Sequence, residues 1–132
     1  MASYFWIAIG GALGSVARYW CSVTSVFLFG AAFPFGTLIV NVLGSFIIGF
    51  VAALTGAEGR LPMGLVARQF VMVGVCGGYT TFSSFSLETL NLMQGGEWAR
   101  AGANIGLSVT CCLVAVWAGY ALAAALNPVK AV

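Results

Sequence analysis

Residues 74–91 read GVCGGYTTFSSFSLETLN and gather three glycines, a run of hydroxyls, two phenylalanines three apart, a carboxylate and an amide. Each type offers its own chemistry. Hydroxyls donate hydrogen bonds that can replace the water around an anion. Phe82 and Phe85 share one helix face. Core packing is the usual role of such rings, but beside so polar a face their positive edges can favour an anion without a full charge. A conduit must hold its ion weakly enough to release it, and a lysine there would bind too tightly. Glu88 is the only intramembrane carboxylate, suited to a buried hydrogen-bonded role or to carrying a proton. Gly77 and Gly78 lower the cost of leaving helical geometry. A break at membrane depth frees carbonyls and amides that protein, water or an ion must satisfy.

Two further polar stripes face this segment in the sequence pattern. Thr37, Asn41 and Ser45 recur at four-residue spacing, as do Asn104, Ser108 and Cys112. Such stripes serve interhelical hydrogen bonding or the wall of a polar pathway, and two matching ones favour the pathway. Arg18 is the only cation expected within an early span. It either snorkels to the interface or builds an anion-attracting vestibule.

The elements that must position these groups follow from composition. The chain has 132 residues, 61% hydrophobic and 6% charged, and a mean hydropathy of +1.05. Soluble domains carry about a quarter charged residues, so this is an integral membrane protein. Stretches of about 20 apolar residues mark four spans, at about 4–28, 35–54, 63–93 and 98–126, forming a single four-helix transmembrane domain over 1–132. The third is too long for one straight span, and a break is expected near 74–79. TGAEGRLP, with Glu58 and Arg60, and QGGEWAR make connections, and NPVKAV is a short tail. Small residues at helix-contact spacing, including Gly10 with Gly14, Gly11 with Ser15, and Gly102 with Gly106, predict close packing. Five cations are too few for a nucleic-acid surface. The chain has no histidine, which leaves few carriers for acid–base or metal catalysis. Its four cysteines form no CxxC pair and read as apolar packing residues.

GGALGSVARYW in the first span, FPFGTLIVNVLGSFIIG in the second and GGYTTFSSFSLET in the third occur in an order and spacing that resembles the Fluc (CrcB) family of fluoride channels. The resemblance implies a four-helix protein assembling as an antiparallel, dual-topology homodimer with two pores. It implies that Phe82 and Phe85 line the pores, that Asn41 is the pore-facing amide of the second helix, and that Ser83, Ser84 and Ser86 form a hydroxyl track faced by Ser108. Thr37 joins this set from its place on the Asn41 stripe. The resemblance also implies a central structural Na+ held by the backbone carbonyls of Gly77 and Thr80. Arg18 matches a vestibule arginine and Glu88 the motif's acid. Cys112 stands where relatives can have serine, and Asn104 where some carry an aromatic residue.

The expected function is passive export of fluoride from the cytoplasm across the cell membrane. The alternative is a small proton-coupled multidrug exporter, for which Glu88 is the sole candidate carboxylate. Charge supports dual topology. Arg60, Arg68 and Lys130 fall on one side, against Arg100 and Arg18 on the other, almost no bias for the positive-inside rule to act on. The expected partners are fluoride, the bilayer and a second copy of the chain, with no nucleic acid.

Overall fold

A computed structural model of the chain describes residues 1–56 and 59–126. Glu58, Lys130 and the tail 127–132 lie outside the described residues. The described chain is all-helical. Four stretches are long and apolar enough to cross a membrane: Ala2–Phe29, Phe35–Leu54, Leu65–Gln94 and Trp98–Leu126. Their bounds lie within two residues of those read from hydropathy. The first two spans are α1 (Ala2–Phe29) and α2 (Phe35–Leu54). Gly30, at φ 78°, ends α1 in a left-handed conformation that admits glycine without strain. The third span is built from two halves. The first half, α3, covers residues 65–79 and is π-helical over Phe70–Cys76. The second half is α4 (Phe82–Gln94), and the last span is α5 (Trp98–Leu126).

The interruption does not fall where glycine propensity put it. Residues 74–79 are helical, and the extended residues are Thr80 (φ −80°, ψ 157°) and Thr81 (φ −153°, ψ 110°). Gly78 instead permits close approach to α1, since a Cβ there would meet Gly11 O at 2.5 Å. Gly10 and Gly74 touch in the same seam, and Trp6 closes it with an edge-on ring contact to Phe70 at 6.0 Å. Membrane helices associate through such small residues because lipid supplies no hydrophobic drive between them.

The largest helix pair is α2 with α5. Gly119 lies against the Phe46 carbonyl and Gly49 against that of Val116, with Val40 and Ala123 fully buried in the chain. The spacing of Gly102 and Gly106 suggested a helix contact, but a Cβ added at either would meet no other segment of the single chain within 4 Å. Those two positions lie on the outer face of α5, while Ala101, Asn104, Ser108, Ala115 and Gly119 turn inward.

Candidate functional site

Asn41 organises the point where α3 gives way to α4. Its Oδ1 accepts from Thr81 N at 2.7 Å, and its Nδ2 donates to Thr81 O at 3.0 Å. The pair works like a rung of a β-ladder and explains why Thr81 can remain extended inside a helical protein: its backbone groups have a partner other than the helix. Thr81 also caps α4, accepting from Ser84 N at 3.1 Å through Oγ1.

These two substitutions of partner have a consequence for the carbonyls at the break. In a continuous helix Thr81 N would bond Gly77 O and Ser84 N would bond Thr80 O. Here the first amide goes to Asn41 and the second to Thr81 Oγ1. Gly77 and Thr80 thus present neutral oxygens released from the helical ladder, a donor type that suits a hard cation such as Na+.

A cavity of about 410 Å³ opens beside the break. Gly77 and Thr80 line it together with Asn41 and Ser45 from α2, Phe82 and Phe85 from α4, and Ser108 and Cys112 from α5. The two rings stand 5.2 Å apart at an interplanar angle of 48°. They differ in setting: Phe85 is 8% exposed, whereas Phe82 is 77% exposed on the surface of the single chain. This cavity brings together both rings, Asn41 of α2, Ser108 of α5, and Gly77 and Thr80 at the break.

Other candidates lie elsewhere. Thr37 Oγ1 donates to Glu88 Oε1 at 2.7 Å, so these two are partners, and both line a second cavity of about 500 Å³ near the α1–α2 loop. Glu88 Oε2 is buried without a hydrogen-bond partner in the single chain. Ser83, Ser84 and Ser86 do not line the first cavity. Ser84 and Ser83 cluster around Thr81 Oγ1, at 3.0 and 3.3 Å, and Ser86 donates back to Phe82 O at 2.9 Å. Arg18 is half-buried on α1 and borders neither cavity; it sits one turn beyond Gly14, which packs against the backbone of Val75 and Tyr79.

Sequence reasoning missed Thr81 and Thr89 as site-forming residues. Thr81 had a signal, a threonine three residues before Ser84 at the start of a helix, which is the N-cap spacing. Thr89 had none, because its role depends on Asn104. The amide of Asn104 is buried and donates to Thr89 Oγ1 at 2.9 Å, tying α5 to α4.

A family model described as CrcB-like protein, Camphor Resistance (CrcB), matches residues 5–120. The chain belongs to the CrcB-like family. Among its relatives is the fluoride-specific ion channel FluC of Methylocella silvestris, 58% identical over 127 residues, covering 96% of this chain and 97% of the relative. The protein of the same name from Opitutus terrae is 57% identical over 130 residues, with 98% of each chain covered. That of Rhodospirillum rubrum is 53% identical over 125 residues, covering 95% of this chain and 97% of its own. Four apolar helices and this kinship make the CrcB-like chain a multi-pass protein of the cell membrane. With coverage nearly complete on both sides, the FSSF segment, the α2 stripe and the α5 stripe all fall inside the shared length.

Proposed function

We propose that the protein is a fluoride-specific channel through which fluoride leaves the cytoplasm passively, and that it is not an enzyme. The observation that carries this reading is the full-length similarity, at up to 58% identity, to proteins named for that function. The chemistry of the first cavity supports it. Fluoride is small, strongly hydrated and a good hydrogen-bond acceptor, so it needs donors in place of its water. Ser108, the remaining proton of the Asn41 amide, and the edges of Phe82 and Phe85 can provide them. Arg18 raises the local anion concentration from a vestibule. In this reading Ser83, Ser84 and Ser86 belong to the hydroxyl track, Thr37 joins the pore-lining set from α2, and Glu88 is the acid that holds Thr37.

In this reading the third span is broken at membrane depth, and the chain works as an antiparallel homodimer with two equivalent pores. The heavily exposed Phe82 and the open cavity beside the break gain their second wall from the partner copy. The carbonyls of Gly77 and Thr80 hold a structural Na+, which supplies positive charge at the centre of the assembly without a carboxylate. The deciding experiment is fluoride efflux from liposomes containing only this purified protein. Efflux of fluoride but not chloride supports the reading. A vesicle population that retains its fluoride refutes it.

A further inference from the structure

Asn104 is 0% exposed, yet it lies one helical turn from Ser108 on the cavity wall. Its orientation is determined from the other side. Thr89 Oγ1 donates its single proton to Phe85 O at 2.7 Å. Thr89 can therefore only accept from Asn104, and Asn104 Nδ2 supplies that bond at 2.9 Å. With the NH2 group turned to Thr89, Asn104 Oδ1 faces Ser108, whose Oγ donates to it at 3.4 Å. The Ser108 proton is thus drawn into the protein, and its lone pairs are what remain for the cavity. Lone pairs repel an anion. A separation of 3.4 Å lies beyond the usual range for such a bond, so it yields readily.

We propose that Asn104 is a positioning residue that competes with the permeating anion for the Ser108 proton. An anion arriving in the cavity draws the hydroxyl away from Asn104 Oδ1. On its departure the proton swings back. The competition weakens anion binding at Ser108 and so speeds release, which throughput requires. Thr89 acts one step behind by setting which end of the carboxamide meets Ser108. The proposal rests on the fluoride-channel reading and adds to it a residue that never touches the ion.

The test measures initial fluoride efflux from proteoliposomes across a range of internal fluoride concentrations. Asn104→Leu keeps the branched shape and removes Oδ1. It should lower the half-saturating fluoride concentration roughly three- to tenfold, the scale of the one neutral hydrogen bond to Ser108 that it removes, while reducing the maximal rate. In a Ser108→Ala background the same change should produce no shift. Thr89→Val is a second route: without the Thr89 oxygen the carboxamide can turn its NH2 to Ser108, so half-saturation should fall again. A merely structural Asn104 would lower maximal rates alone, or act equally with and without the Ser108 hydroxyl. Either result overturns the proposal, as do unshifted half-saturation values in both single variants. A wild-type protein that passes no fluoride would overturn the channel reading, and this proposal with it.

Discussion

Asn41 carries more structure than its sequence position suggests. Both ends of its amide hold Thr81, so a change there alters the break as well as the cavity wall. Asn41→Asp keeps the size but sets a carboxylate oxygen against the Thr81 carbonyl, with an uncompensated cost of about 1–3 kcal/mol, and adds negative charge where an anion would pass. Fluoride efflux from this variant should fall to the level of empty liposomes, and near-normal efflux at neutral pH would remove Asn41 from the path. Phe82→Ile and Phe85→Ile should each lower efflux roughly fivefold, since a ring-edge contact is worth about 1 kcal/mol. Size-exclusion chromatography should show unaltered assembly. Wild-type rates in both would reduce the rings to packing. At this scale much was legible: four-residue spacing put Asn41 and Ser45 on one face, and Ser108 and Cys112 on another, and both faces meet at one cavity. The bonding of Thr37 to Glu88 was not legible, because it joins groups 51 residues apart.

For the helices, the lesson concerns what glycine does in an apolar setting. Gly77 and Gly78 read as a break, but the break needs a partner for the released backbone more than it needs a flexible residue, and Asn41 provides that partner at Thr81. Gly78 is required by the seam with α1 instead. Gly78→Val should therefore cost about 1–3 kcal/mol through overpacking, seen as a lower melting temperature in detergent, with helix content unchanged at low temperature. A melting temperature equal to wild type would show that the seam is looser than its geometry. The proposed Na+ site makes a separate prediction. Thr80→Val removes only the side-chain bond to the Cys76 carbonyl, so it should affect efflux less than replacing Na+ with a larger cation throughout. Full activity after exhaustive removal of Na+ would exclude an essential ion.

For the whole molecule, the number and bounds of the spans were legible because twenty-residue apolar runs have few other uses. How the spans pair was less so: α1 joins α3 and α2 joins α5 through glycines whose partners lie on distant segments. Orientation rests on charge. Among the described residues Arg100 pairs with Glu97 at 2.8 Å, so its charge is locally offset, and the remaining bias between the two sides is small. Tags placed on the C-terminus should be reached by impermeant reagents from both faces of the membrane. Labelling from one face only, in a preparation that conducts, would rule out dual topology.

The half-helix α4 also carries a consequence for how the protein is made. It has 13 residues, roughly 20 Å at 1.5 Å per residue, against a hydrocarbon thickness of about 30 Å. It is also rich in hydroxyls, so it has neither the length nor the greasiness to enter the bilayer by itself. Its partners are synthesised on either side of it in time: Thr37 and Asn41 before, Asn104 after. Until α5 has left the ribosome, α4 lacks its bond to Asn104 and has no settled place. Nascent chains arrested before Trp98 should therefore be cleared by membrane quality-control proteases, while chains released after Leu126 persist.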